Sequence, residues 1–260
     1  MSLANQKVAL VTGAGSGIGR ASALALAQKG YAVGVLSRTE EEVAAVVVDI
    51  RANDGEATVL IADVSDEQQI GAAVEKLVSE YGRLDVVVAN AGINGVWAPI
   101  DDLKPDEWDK TIQVNLRGTY LTLHKTVPHL KSEGGSIVIV SSINGTRTFT
   151  SPGATAYTVT KAGQLAMAQQ LALELGRYRI RVNAVCPGQI DTEINDNTDT
   201  RGEEKTAIAV EWPDGEVPIT GGKPGRSEDV AELIVFLAGE KSRHITGSPV
   251  WIDGGQGLLR

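Results

Sequence analysis

The chain has 260 residues, 42% of them apolar and few aromatic, enough for one large α/β core filled by Val, Ala, Leu and Ile. A formal net charge of -9 leaves no basic surface for a nucleic-acid backbone or an anionic membrane. The single cysteine, Cys186, excludes an internal disulfide, and His124, His129 and His244 are scattered, so no metal site is expected. No secretory pattern and no apolar run of membrane-spanning length is visible; a reducing, cytoplasmic setting is the expectation.

Short apolar runs alternate with runs of 3.6-residue period almost throughout. Val8 to Val11 predicts a buried strand, Thr12 to Gly19 a glycine-rich turn, and Arg20 to Lys29 a helix. Ala32 to Ser37 is the second strand. Thr39 and Glu42 have capping-box spacing and open a helix to about Asn53, which Asp54-Gly55 stops. Ala57 to Ile61 is the third strand. Ser65 and Gln68 read as a second capping box, for a helix to about Tyr81 with Gly82 behind it. Val86 to Ala89 is apolar enough to be buried on both faces. One helix is expected from about Pro105 to Leu130, a strand over Ser136 to Ser141, and a Ser/Thr/Gly-rich connection to Thr155. A long helix over Ala156 to Leu175 and a strand over Ile180 to Val185 follow. Pro187 to Gly225 is acidic and irregular. Ser227 is expected to cap the last helix, to about Ala238, before a strand over Pro249 to Ile252.

Repeated β-α-β units without a composition break predict a single doubly wound Rossmann-type domain. It would hold a mainly parallel seven-stranded sheet with helices on both faces, and 189–225 as a substrate-loop insertion. Ligands of such sheets sit beyond the carboxyl ends of the strands. That selects Gly13 to Gly19, Ser37-Arg38, Asp63, Asn90 to Gly92, Ser141-Ser142 and Pro187-Gly188. The first stretch is strand, glycine turn and helix, which offers backbone N–H groups and a positive helix end to a phosphate. Tyr157 and Lys161 lie four apart near the start of the long helix, so they share a face. An ammonium beside a phenol favours phenolate and makes it a usable proton donor and acceptor near neutral pH.

With these motifs the chain resembles the short-chain dehydrogenase/reductase family, in its subclass of about 250 residues, over nearly its whole length. Thr12-Gly13-x-x-x-Gly17-x-Gly19 matches the cofactor turn. Asn90-Ala91-Gly92 matches the NNAG segment, with Ala89 replacing its first Asn. Tyr157-x-x-x-Lys161 matches the catalytic pair, Pro187-Gly188 the segment after the sixth strand, and Asp253-Gly254-Gly255 the C-terminal signature. The resemblance implies hydride transfer between a nicotinamide cofactor and a carbonyl or secondary alcohol. It implies that Tyr157 is the general acid/base and that Lys161 tunes it and holds the nicotinamide ribose. Ser142 would orient the carbonyl oxygen, and Asn115 would hold a relay water; an ordinary polar helix residue is the alternative for Asn115. Ser142 stands 15 positions before Tyr157, more than is usual in the family, and Ser141 is the alternative.

The implied cofactor contacts are Gly13, Gly15, Ser16, Gly17, Ile18, Gly19, Ser37, Arg38, Asp63, Val64, Asn90, Ala91, Gly92, Tyr157, Lys161, Pro187, Gly188, Ile190 and Thr192. Asp63 could instead serve its helix, and Asn90 could instead brace the sheet. Relatives that prefer NAD usually place Asp after the second strand. Here Ser37 and Arg38 offer a hydroxyl and a guanidinium suited to a 2′-phosphate. NADP(H) is therefore the expected cofactor, and NAD(H) the alternative. Trp97, Ser142, Tyr157, Gly188 and Trp212 are the expected substrate contacts. The substrate is a small carbonyl or alcohol compound, with a sugar or polyol and its NAD-dependent oxidation as the alternative; the acidic loop weakly disfavours an anionic acyl-carrier thioester. A catalytically silent cofactor-binding regulator and a methyltransferase-like nucleotide binder are the readings outside this chemistry; neither calls for the Tyr157/Lys161 pair. The long helix is apolar nearly all round, which predicts a homodimer or homotetramer through the helices around 105–130 and 156–175.

Overall fold

A computed structural model describes residues 6–193, 198–207 and 218–259. Seven of its strands form one parallel sheet: β1 (Val8–Thr12), β2 (Ala32–Ser37), β3 (Ala57–Ile61), β4 (Val86–Ala89), β6 (Gly135–Val140), β7 (Ile180–Pro187) and β9 (Pro249–Ile252). They lie in the order β3-β2-β1-β4-β6-β7-β9. The chain builds outward from β1 to β3, then returns to lay β4 on the other side of β1. The fold is thus the Rossmann-like α/β arrangement, and its switch point falls between β1 and β4, where a crevice opens beyond their carboxyl ends.

The core is split by the pleat. Val8 and Leu10 of β1 face one layer, with Ile70 and Leu77 of α3 (Glu67–Tyr81), Leu123 of α5 (Gly118–Leu130) and Ala168 of α6 (Thr155–Leu175). Ala9 and Val11 face the other, with Leu26 of α1 (Gly17–Gln28), Val43 of α2 (Glu40–Ala52) and Ile234 of α8 (Ser227–Ala238). Both faces are covered, so the central strands read as continuous apolar runs rather than as an alternation.

Several local expectations need correction. Thr39 occupies the N-cap of α2 but makes no side-chain cap bond. At α3 the cap is Asp66, whose carboxylate accepts from the N–H groups of Gln68 and Gln69 at 2.9 and 3.0 Å, while Ser65 bonds to Asp63. At α8 the N-cap is Arg226 rather than Ser227, and Asp229 returns to its N–H at 3.1 Å. The single helix expected between Pro105 and Leu130 is three pieces: α4 (Pro105–Thr111), a π-helical segment (Ile112–Arg117) and α5. A second small sheet was not anticipated: β5 (Val96–Trp97) pairs in parallel with β8 (Asp199–Thr200), and the short α7 (Glu203–Thr206) follows. Two residues per strand carry no periodicity to detect.

Among the described residues, no helix is long and apolar enough to cross a membrane, and no group of three or more His, Cys, Asp or Glu could hold a metal ion.

Candidate functional site

The carboxyl ends of the central strands open into one cleft of about 1120 Å³. Its wall contains Gly13, Gly15, Ser16, Gly17, Ile18, Ser37, Arg38, Asp63, Val64 and Asn90 to Gly92. It also contains Trp97, Ser142, Tyr157, Lys161, Pro187, Gly188, Ile190 and Thr192. Most of these segments follow strands of the main sheet at one edge, which gathers positions as far apart as Gly13 and Thr192. Gly19 and Asn115 are not in the wall, and Trp212 lies outside the described residues.

At the glycine turn the backbone does the work. Gly13 and Gly17 have φ of +64° and +50°, where a side chain would be strained. A Cβ on Gly13 would stand 2.8 Å from Ala91 Cα, and one on Gly19 2.0 Å from the Gly13 carbonyl oxygen. Gly19 therefore serves packing, not the cleft. Ser16 is the N-cap of α1, whose first-turn N–H groups have no carbonyl partner in the helix. An anionic diphosphate fits this turn. A Cβ on Gly15 would meet Glu42 Oε2 at 2.3 Å, so the Glu42 carboxylate presently lies over the turn. The sequence marks Glu42 only as the capping-box partner of Thr39 in the first turn of α2.

Asn90 holds the turn in shape. Its amide donates to the carbonyls of Thr12 and Gly13 at 3.0 and 3.2 Å, and its N–H to Thr12 Oγ1 at 3.0 Å. Beyond β2, Arg38 reaches Asp63 at 3.6 Å. Burial pushes the Asp63 carboxyl up, but the Ser65 hydroxyl and N–H and the Arg38 guanidinium outweigh it and hold the pKa below its ordinary value.

The Tyr157 ring forms part of the opposite wall. Lys161 is 4% exposed; its Nζ stands 5.4 Å from the Tyr157 ring centroid and donates to the Val140 carbonyl at 3.0 Å. Burial lowers the lysine to about 8. The expected depression of the phenol by this cation does not govern the free protein. Burial pushes Tyr157 up, and the Ser142 hydroxyl beside it pulls down. The two candidate serines separate clearly: Ser141 Oγ donates to the Lys161 carbonyl at 2.7 Å, whereas Ser142 Oγ accepts from the Asn144 N–H at 3.1 Å and faces the phenol.

The loop after β6 absorbs the long Ser142–Tyr157 spacing as a local turn. Asn144 Oδ1 accepts from Thr148 and Ser151 hydroxyls at 3.0 Å each, and Gly145 takes φ of +81°. Arg147 fastens the loop to the C-terminal segment, 4.0 Å over the Trp251 ring and 3.3 Å from Asp253.

Asn115 sits in the π-helical segment, fully buried. Its Oδ1 accepts from the Ile93 N–H at 2.8 Å, and its Nδ2 donates to the Ile93 carbonyl at 2.9 Å and to Thr160 Oγ1 at 3.1 Å. Its own carbonyl accepts from Thr119 Oγ1 and Gln164 Nε2 at 2.7 and 3.0 Å. These bonds tie the loop after β4 to α6, just behind Lys161.

The far end of the cleft is polar and acidic. Asn94, Asn144, Gln189 and Gln256 line it with Asp106, Glu107, Glu193, Asp199 and Lys110. Among the described residues, the Gln189 Oε1 is buried without a hydrogen-bond partner. The Trp97 ring lies 6.2 Å from that of Tyr157. None of these amides or acids except Asp199 and Glu193, seen as part of an acidic loop, was singled out from sequence. Their signal is tertiary.

Residues 13–256 match the family model described as enoyl-(acyl carrier protein) reductase. The 3-oxoacyl-[acyl-carrier-protein] reductase FabG of Thermotoga maritima is 39% identical over 250 residues, covering 96% of this chain and 97% of that protein. L-rhamnose 1-dehydrogenase (NAD(P)(+)) of a Sphingomonas species is 38% identical over 258 residues, covering 98% of each. A crystal structure of a 3-ketoacyl-ACP reductase from Sinorhizobium meliloti superposes with a TM-score of 0.93 at 69% identity, covering 97% of this chain and 100% of that one.

Proposed function

Since the chain belongs to the short-chain dehydrogenase/reductase family, whose oxidoreductases act on CH–OH groups, we propose that it reduces a 3-oxoacyl thioester to the secondary alcohol with NADP(H) as preferred cofactor. The observation that carries the reading is that Ser142, Tyr157 and Lys161 line the same cleft as the Gly13–Ile18 turn. The dinucleotide, when bound, supplies or accepts the hydride. The Gly13–Ile18 turn would hold its diphosphate, Asp63-Val64 its adenine, Ser37-Arg38 its ribose phosphate, and Asn90 to Gly92 with Pro187 to Thr192 its nicotinamide half.

The protein's own groups then manage the oxygen. Tyr157 Oη gives its proton to the carbonyl oxygen as negative charge develops there. Ser142 Oγ, its lone pair already engaged by the Asn144 N–H, donates to the same oxygen. Lys161 places a buried positive charge beside the phenolate that remains. Asn115 keeps Ile93 and Thr160 in register with this set. We further place the enzyme in the cytoplasm as a homo-oligomer.

Arg38 supports NADP(H), and two carboxylates, Asp63 and Glu42, oppose the 2′-phosphate, so NAD(H) use is retained at lower affinity. The names of the relatives support the thioester. A second reading, a hydroxylated substrate such as a sugar or polyol, is favoured by the amides and acids at the far end of the cleft. A panel of acetoacetyl thioesters, neutral ketones, aldoses and polyols, followed at the NADPH absorbance band, separates the two. Tighter NADH than NADPH binding by the wild type would overturn the cofactor preference. Arg38→Asp should move binding toward NADH, and Glu42→Gln toward NADPH, each by about tenfold.

A further inference from the structure

The Thr198–Ala207 segment contributes no group to the hydride or proton steps, yet it is fastened to the rim of the cleft at several points. β8 pairs with β5 in the register Val96↔Asp199 and Trp97↔Thr200. The Arg201 N–H donates to the Trp97 carbonyl at 2.8 Å. Asn94 Nδ2 donates to Thr198 Oγ1 at 2.7 Å. Two residues of pairing cannot hold a segment by themselves; the Arg201 side chain completes the attachment.

Its guanidinium meets four oxygens. Nε reaches Asp102 Oδ2 at 3.1 Å and Nη2 the Asp102 carbonyl at 2.7 Å. Nη1 and Nη2 reach the two oxygens of Glu107 at 3.0 and 2.8 Å. Glu107 is oriented in advance, because Oε2 also accepts the Lys104 N–H at 3.0 Å as α4 begins. A planar fork matches this set; an ammonium cannot. Glu107 lines the cleft, so Arg201 also neutralises a carboxylate facing the substrate end.

We propose that Arg201 is a positioning residue for substrate: by clamping Thr198–Ala207 onto the Trp97–Glu107 rim it holds Trp97 beside Tyr157 and sets the width of the substrate end. The assignment rests on the reading of the cleft as a carbonyl-reductase site. It concerns substrate alone, since the glycine turn and Arg38 lie at the opposite end. The clamp withstands acid: Arg201 and the Lys104 N–H hold the Glu107 carboxyl down to about 2.

The test compares wild type, Arg201→Ala, Arg201→Lys and Glu107→Gln. In hydrogen–deuterium exchange of the ligand-free protein, Arg201→Ala should exchange about tenfold faster over 96–107 and 198–207 and be unchanged over 157–175. NADPH affinity should stay within about twofold, and KM for the best substrate of the panel should rise about tenfold with kcat nearly kept. Arg201→Lys should recover only part of the loss. Glu107→Gln should resemble Arg201→Ala, and the double variant should be no worse than either alone. Unchanged exchange in Arg201→Ala, or an unchanged KM, overturns the assignment. So does a parallel loss of NADPH affinity and melting temperature, which a merely structural role would produce. Absence of turnover by the wild type across the whole panel defeats the carbonyl-reductase reading instead, and the exchange result then judges the clamp on its own.

Discussion

Burial moves Tyr157 and Lys161 in opposite directions, the phenol up and the ammonium down, because each is disfavoured in its charged form away from water. Near neutral pH the phenol is therefore protonated, while Lys161, at about 8, still carries its charge for the phenolate that proton transfer would leave. Tyr157→Phe keeps the ring and loses the proton; turnover should fall by about 10²–10⁴-fold while NADPH still binds, as fluorescence titration would show. Undiminished turnover would remove Tyr157 from the mechanism. Lys161 also makes a stability prediction. Folded, it titrates near 8; unfolded, near its ordinary 10.5. Between those values the unfolded chain holds more protons, so this group adds stability as pH rises through that window and costs stability below it. Lys161→Met removes the dependence. Its melting temperature relative to wild type should be higher at pH 7 than at pH 10 by roughly 5 °C. A difference independent of pH would contradict the low lysine pKa.

Among elements, the β1–turn–α1 unit tolerates little change. Gly19 faces the Gly13 carbonyl and the Asn90 amide so closely that a Cβ would stand 2.0 and 2.6 Å from them. Backbone cannot yield there as a side-chain end could. Gly19→Ala should destabilise the protein by about 1–3 kcal/mol in urea unfolding and weaken cofactor binding as well. A neutral result would mean that α1 can slide on the sheet. The π-helical segment shows the opposite economy. Widening the helix at Ile112–Arg117 turns Asn115 inward, where its amide satisfies both polar groups of Ile93. The sequence predicts a plain helix there, since a single extra residue per turn leaves the apolar periodicity almost unaltered.

Over the whole molecule, assembly is a matter of exposed apolar surface. Tyr120 on α5 and Val159 and Leu173 on α6 are 51%, 43% and 83% exposed. Their helices cover the sheet with other faces. A second copy would bury this surface. Light scattering at micromolar concentration should return a dimer or tetramer mass, and Leu173→Glu should lower it. A monomeric wild type would count against the oligomer.

Much of the architecture was legible from the chain because buried parallel strands and amphipathic helices obey short-range rules. The seven strands of the main sheet, their helices and the glycine turn follow from hydrophobic period and backbone freedom. The strand-end rule then brings most of the candidate residues to one edge. What sequence could not decide are contacts between distant segments. Which residue caps a helix, whether Thr39 or Ser65 bonds as spacing suggests, depends on competing partners nearby, and Asp66 won at α3. Ser142 and Ser141 are adjacent and alike; only their neighbours, Tyr157 and the Lys161 carbonyl, distinguish them. Glu42 over Gly15 and Arg201 across the mouth of the cleft lack any local signal, because a charged side chain near a helix start or in a loop looks solvated until the fold supplies its partner. Sequence by itself determined the sheet, the glycine turn and the placing of Tyr157 and Lys161 on one helix face, which are set by periodicity and motif spacing. Tertiary structure alone decided how the pair titrates and what encloses the substrate, because burial and long-range pairing exist only once the chain has closed on itself.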